Sequence, residues 1–265
     1  MNWNKTQLLA ILPRRMRQEH YDDVTEVRLR LGRPPRLVAC GGFRDLPGAV
    51  EEGELRFVLN AASGYSPWNA ASMADGYLTA PGGHRIGVCG EAAGEGIRTV
   101  TSLCIRIARD LRGISEGMPT DGSILILGPP GSGKTTLLRD HIRARSRRET
   151  VAVVDERREL FPEDFSRGEN MDILSGTPKS RGIDMVLRSM GPSVIAMDEI
   201  TCPEDCDALV RAAWCGVSLV ATAHASSVRD LHERSIYRPL VETGLFSRAV
   251  VLDRQRRWKI EEVGA

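Results

Sequence analysis

The sequence predicts an α/β fold: a C-terminal core built on a parallel sheet, preceded by a smaller N-terminal α/β domain. From residue 123 onward, short apolar runs alternate with stretches of helical periodicity, a pattern that favours a parallel sheet covered by helices on both faces. Residues 1–117 are less regular, with short strands between Gly-rich turns. We therefore place the domains at residues 1–117 and 118–265.

The C-terminal domain contains four apolar strand candidates separated by helices. The predicted strands are Ser123–Leu127, Val151–Val154, Val194–Met197 and Val217–Ala221. The predicted helices are Thr135–Arg147, Gly182–Met190 and Pro203–Trp214. A further strand or hairpin is expected near Arg248–Ile260.

The N-terminal domain is predicted to mix two helices with short strands. The helices are Thr6–Leu12 and Glu54–Ala62, and the strands are Val24–Leu31, Leu37–Ala39, Tyr77–Thr79, Arg85–Cys89 and Leu103–Ala108. Turns are expected at residues 32–35, 81–83 and 94–96, where Gly and Pro cluster. Gly113–Gly122 is interpreted as a linker.

Composition excludes several function classes. The formal net charge is +1, from 36 basic and 35 acidic residues, which gives no overall field for nucleic acid or an anionic membrane. The six cysteines are scattered without a CxxC pair, so we expect reduced thiols and no zinc site; they are Cys40, Cys89, Cys104, Cys202, Cys206 and Cys215. Polar residues interrupt every long uncharged run, so we expect a cytoplasmic protein that inserts no helix into a membrane.

The strongest motif is a P-loop immediately after the first C-terminal strand. It comprises Gly128, Pro129, Pro130, Gly131, Ser132, Gly133, Lys134 and Thr135, with Thr136 continuing into the helix. Glycines let backbone N–H groups turn towards phosphate oxygens at a helix N-terminus, whose dipole favours anions. Lys134 is expected to reach the β- and γ-phosphates of ATP, and the Thr135 hydroxyl to ligate Mg²⁺.

The second motif is an acidic pair that follows the strand ending at Met197. Asp198 is expected to hold the Mg²⁺ shell, and Glu199 to polarise the attacking water, which indicates hydrolysis rather than transfer to a small molecule.

Two further strand ends bear polar groups at the same sheet edge. Either Asp155 or Glu156 is expected to face the nucleotide, and the alternative is a solvated strand end. Thr222 stands where a γ-phosphate sensor is expected, and His224 is placed to bond phosphate or the neighbouring carboxylates.

The order of these four segments resembles that of the secretion-ATPase superfamily of P-loop, RecA-like enzymes, the hexameric motors of type II and type IV secretion and pilus assembly. Four segments, the last of which includes Asp155 and Glu156, are similar to the stage III sporulation AA family within it: Glu26–Pro34, Gly83–Gly90, Ile105–Arg109 and Val153–Arg157. The resemblance implies a homo-hexamer in the mother cell that serves membrane-embedded channel proteins.

It also implies arginines from outside the P-loop that stabilise the γ-phosphate. Arg85, Arg106 and Arg109 are the candidates, while Arg28 and Arg30 are alternatives for fixing a domain interface.

Two other functions compete with this interpretation. A nucleic-acid-binding P-loop ATPase would use the Arg-rich stretches His141–Arg148 and Arg254–Arg257, although few aromatic residues lie between those arginines for base stacking. A small-molecule phosphotransferase would need an acceptor pocket or Arg-rich lid, which the sequence after Glu199 does not indicate.

Overall fold

The structure is a computed structural model that describes residues 5–39, 41–64, 76–93, 96–162 and 165–264. Cys40 and most of the predicted turn at 94–96 lie outside the described residues. The chain forms two compact units: an N-terminal unit, Met1–Asp110 with Pro162–Phe165, and a C-terminal unit, Leu111–Phe161 with Ser166–Ala265. The segment interpreted as a linker, Gly113–Gly122, therefore belongs to the C-terminal unit.

Among its described residues, the N-terminal unit contains a six-stranded antiparallel sheet and two α-helices. Its strands are β1 (Val24–Arg30), β2 (Arg36–Ala39), β3 (Gly42–Asp45), β4 (Tyr77–Ala80), β5 (His84–Ala93) and β6 (Gly96–Arg106), in the spatial order β3-β2-β1-β6-β5-β4. Its helices are α1 (Lys5–Ile11) and α2 (Glu52–Ala62). Helix α2 begins with a capping box between Glu51 and Glu54, which satisfies backbone N–H groups that the first turn leaves unpaired. Both helices contribute buried apolar residues to one core with the sheet.

The C-terminal unit contains a seven-stranded sheet and five helices among its described residues. Its strands are β7 (Ile124–Leu127), β8 (Val151–Asp155), β9 (Met171–Ser175), β10 (Val194–Met197), β11 (Ser218–Ala223), β12 (Arg248–Leu252) and β13 (Trp258–Glu262). The helices are α3 (Lys134–Arg145), α4 (Lys179–Ser189), α5 (Pro203–Trp214), α6 (Val228–Glu233) and α7 (Arg238–Glu242). The spatial order is β13-β12-β7-β11-β10-β8-β9, and only the β12–β13 pair is antiparallel.

Side chains of this sheet alternate between two apolar cores. Leu125 and Leu127 pack with residues of α4 and α5, whereas Ile124 and Ile126 pack with residues of α3. All four strand residues are fully buried, because helices cover both faces. β7, β8, β10 and β11 run parallel, so their carboxyl ends lie at one edge of the sheet. The polar residues at and after these ends therefore lie at that edge.

The predicted α/β class is confirmed, with two strands missing from the prediction. β3 and β9 lie at sheet edges and lack a continuous apolar run, since the residues of β3 are all exposed and those of β9 mostly half-buried. Within the described ranges, no helix is both long and apolar enough to cross a membrane.

His141 of α3 is a buried histidine whose protonation should oppose folding. Its side chain is 1% exposed, and neither ring nitrogen has a hydrogen-bond partner among the described residues. Burial, assisted by the charge of Arg145 and opposed by Asp140 and Glu149, lowers the pKa of His141 from 6.5 to about 4. The neutral ring is therefore the form that the fold accommodates.

We expect acid to destabilise the protein through this ring. In the unfolded chain the ring of His141 binds a proton below pH 6.5, whereas in the folded chain it does so only below about pH 4. The free energy of unfolding is therefore at its full value above pH 6.5 and decreases as the pH falls towards 4. The linked loss is about 3 kcal/mol at most. Thermal unfolding midpoints between pH 7 and pH 4.5 should fall more steeply for the wild type than for His141→Leu, and parallel curves would contradict the assignment.

Candidate functional site

The predicted P-loop connects β7 to α3, and its backbone has the geometry that a phosphate cradle requires. Gly131 and Gly133 adopt φ values of 76° and 96°, a region that glycine enters without a steric penalty. Gly128 allows a close approach, because a Cβ there would lie 2.6 Å from Ser132 Oγ and 3.2 Å from Leu252 Cβ. The buried Ser132 hydroxyl has no hydrogen-bond partner among the described residues. An unsatisfied hydroxyl beside a helix N-terminus fits a ligand with acceptor oxygens, such as phosphate.

The ammonium group of Lys134 lies in the middle of this loop. It donates to the carbonyl oxygens of Gly128 and Pro129, at 2.9 and 3.1 Å, and its Nζ lies 3.0 Å from His224 Nδ1. These three contacts use all three protons of the ammonium. Burial lowers the pKa of Lys134, while the charges of Glu199 and Asp198 oppose that shift.

His224 connects Lys134 to Glu199. Because an ammonium can only donate, Nδ1 of His224 acts as the acceptor, which leaves the proton of the neutral ring on Nε2. That nitrogen lies 2.8 Å from Glu199 Oε1 and donates to it. The hydroxyl of Tyr237 accepts the backbone N–H of His224 at 3.2 Å, which holds the end of β11 in place. A continuous chain of hydrogen bonds therefore runs from the P-loop to the carboxylate after β10.

Asp198 lies between two threonine hydroxyls. Thr135 Oγ1 donates to Asp198 Oδ2 at 3.0 Å, and Thr222 Oγ1 donates to Asp198 Oδ1 at 3.0 Å. Hydroxyl and carboxylate oxygens are the hard ligands that Mg²⁺ prefers, so Thr135 and Asp198 fit the predicted ion. Thr136, the third residue of α3, follows Thr135 directly in the chain and is half-buried.

The two acidic residues at the end of β8 have different contacts. The buried carboxylate of Asp155 accepts backbone N–H groups from Glu159, Leu160 and Phe161 at 2.9 to 3.3 Å, so it organises its own loop. Burial raises the pKa of Asp155, and these hydrogen bonds act against the rise. Glu156 instead bonds Lys179 at 3.0 Å. It lines a cavity of about 20 Å³ that Asp198 and Glu199 also line.

The predicted arginine fingers belong to the N-terminal unit and have different local partners. Arg85 and Arg106 are register partners on β5 and β6. The guanidinium of Arg85 lies 4.1 Å from the centre of the Tyr77 ring, and Arg106 is 67% exposed, 3.8 Å from Glu26. Arg109 donates to backbone carbonyl oxygens of residues 21, 22 and 24. Arg109 therefore already fastens the start of β1.

The Arg-rich stretch His141–Arg148 does not form a continuous basic face. Arg143 donates to the carbonyl oxygens of Ser166 and Leu111, and the fully buried Arg145 pairs with Glu149. Internal partners thus occupy two of the arginines on which a nucleic-acid interface would depend.

Two residues at the carboxyl edge of the C-terminal sheet were not predicted from the sequence. Lys179 follows a proline at the start of α4, and Tyr237 lies in a short connecting segment, so neither belongs to a recognisable motif. Their partners Glu156 and His224 are 23 and 13 residues away in the chain.

Comparison with protein families gives a match over nearly the whole chain. The family model described as "Sporulation stage III, protein AA" matches residues 4–261. The chain is 34% identical to stage III sporulation protein AA of Bacillus subtilis (strain 168), with 94% of this chain and 91% of the relative covered.

Solved structures of two ATP-related proteins share the fold. The Legionella pneumophila ATPase DotB is similar with a TM-score of 0.60 and 18% identity, over 86% of this chain and 72% of DotB. The pilus retraction motor PilT, solved with bound ADP, is similar with a TM-score of 0.62 and 15% identity, over 86% of this chain and 74% of PilT. At these identities the likeness establishes a RecA-like core with an N-terminal domain, which confirms the predicted architecture.

Proposed function

This chain belongs to the Sporulation stage III, protein AA family, and on that premise we propose that it is an ATP-hydrolysing motor of a secretion-like complex. The observation that carries the proposal is the hydrogen-bonded chain from Lys134 through His224 to Glu199. It joins the predicted phosphate-binding loop to Glu199, which we assign as the general base. The printed descriptions of the structural neighbours, an ATPase and a pilus retraction motor, support the same class.

Each residue of the edge has a role in this proposal. The P-loop amides and Lys134 hold the phosphates, and Thr135 with Asp198 would hold Mg²⁺, which supplies positive charge next to the phosphate oxygens. Glu199 removes a proton from the attacking water. His224 donates to Oε1 of Glu199, so Oε2 remains available to accept that proton. Thr222 fixes Asp198, and through it the γ-phosphate side of the site.

We place this activity in a homo-hexamer in which Arg85 or Arg106 stabilises the γ-phosphate. The side chain of Arg106 is 67% exposed, so it is accessible to a neighbouring subunit, whereas Arg109 already donates to three backbone carbonyl oxygens. Partners in the proposal are channel proteins of the envelope, reached from the cytoplasmic side of the mother cell.

The proposal is tested by measuring phosphate release and native mass over a range of protein concentrations with ATP. Turnover per subunit should rise with concentration as a six-subunit species forms, because a ring completes each site. Arg106→Ala should lower turnover at the high-concentration plateau, with the exposed Arg229→Ala as the matched control. A protein that stays monomeric and releases no phosphate at any concentration would refute the motor function.

A further inference from the structure

Lys179 is a second buried lysine at the carboxyl edge, and no motif includes it. Its side chain is 7% exposed at the start of α4. The ammonium lies 3.0 Å from Glu156 Oε2, 3.1 Å from Thr201 Oγ1 and 3.4 Å from Asp205 Oδ2. Like Lys134, it therefore has an acceptor for each of its three protons.

These acceptors belong to two segments that meet at the site. Glu156 follows β8, whereas Thr201 lies two residues after Glu199. The buried carboxylate of Asp205, in the first turn of α5, also accepts from the backbone N–H and the hydroxyl of Thr201, at 2.9 and 3.1 Å. Lys179 thus connects the carboxylate after β8 to the loop that bears Glu199.

The positive charge of Lys179 lies among three carboxylates of the site. Glu156, Asp198 and Glu199 line the same small cavity, and like charges at such short range repel one another. Lys179 also lines that cavity, and its ammonium offsets the repulsion. The cavity volume of about 20 Å³ is enough for one water molecule, since about 10–15 Å³ suffices.

We propose that Lys179 is a positioning residue for hydrolysis: it holds Glu156 at the cavity beside Glu199 and fixes the loop that carries Glu199. The inference rests on the proposed ATPase activity and deepens it. The competing explanation is that Lys179 serves only to neutralise buried Asp205, which would make its role purely structural.

A double-mutant cycle separates the two roles. Lys179→Met should lower kcat by about 10- to 100-fold, as a displaced catalytic group does, with KM and nucleotide affinity nearly unchanged. In a Glu156→Gln background, Lys179→Met should lower kcat much less, because residues that act through one another are not additive. Lys179→Arg keeps the charge and should retain more activity than Lys179→Met. The exposed Lys259→Met is the control.

The outcomes are distinct. Equal losses of kcat in both backgrounds, or a fall in the unfolding midpoint with unchanged kcat, would overturn the positioning role alone. If Lys179→Met does not fold, Lys179→Arg takes its place in the same cycle and is judged by the same non-additivity. No ATP turnover by the wild-type chain would overturn the proposed function together with this role.

Discussion

Replacing Lys134 by alanine is expected to weaken ATP binding by about 100-fold and to abolish turnover. Hydrogen bonds to a charged group contribute about 1.5–3 kcal/mol each, and about 3 kcal/mol corresponds to a 100-fold change in affinity. The substitution also removes the donor to His224 Nδ1, so it breaks the chain to Glu199 at its first link. Titration with a fluorescent ATP analogue measures the affinity.

The matched control for this prediction is Lys259→Ala. Lys259 is 71% exposed and pairs with Glu261, so its loss should leave ATP affinity unchanged. If Lys134→Ala bound ATP as tightly as the wild type, the P-loop would not be the nucleotide site.

Replacing Glu199 by glutamine is expected to separate binding from hydrolysis. The amide keeps the size of the side chain and can still accept from His224 Nε2, so ATP should bind normally. It cannot act as a base, and the loss of a general base costs about 10²- to 10⁴-fold in rate. Phosphate release under single-turnover conditions measures the effect.

Glu242→Gln, on the exposed side of α7, is the control for this substitution. A Glu199→Gln protein that retains near wild-type turnover would show that the base lies elsewhere, and Glu156 would then be the first candidate because it lines the same cavity.

The fold was predictable where residues respond to local rules. The strands β7, β8, β10 and β11 are fully or almost fully buried, so their apolar runs are continuous and easily recognised. β9 has half-buried residues at the edge of the sheet, and its pairing with β8 depends on tertiary contacts that no local pattern encodes.

The sequence indicated which segments form the site, but it did not indicate which side chains contact one another there. Sequence position left Asp155 and Glu156 equivalent, because both follow one strand. Their separation depends on loop amides at residues 159–161 that turn back onto Asp155, and on Lys179, which approaches Glu156 from another helix. The contacts of Asp155 span only four to six residues but depend on how the loop turns back. The contact of Lys179 with Glu156 spans 23 residues, so it becomes visible only once the sheet is assembled.

All three protons of the Lys134 ammonium already have acceptors within the protein, and this affects how tightly a nucleotide can bind. In the proposed ATPase, each hydrogen bond that Lys134 Nζ donates to a phosphate oxygen replaces one that it now donates to the carbonyl oxygens of Gly128 and Pro129 or to the ring of His224. Binding is therefore an exchange between two sets of similar contacts, and the net affinity is their difference.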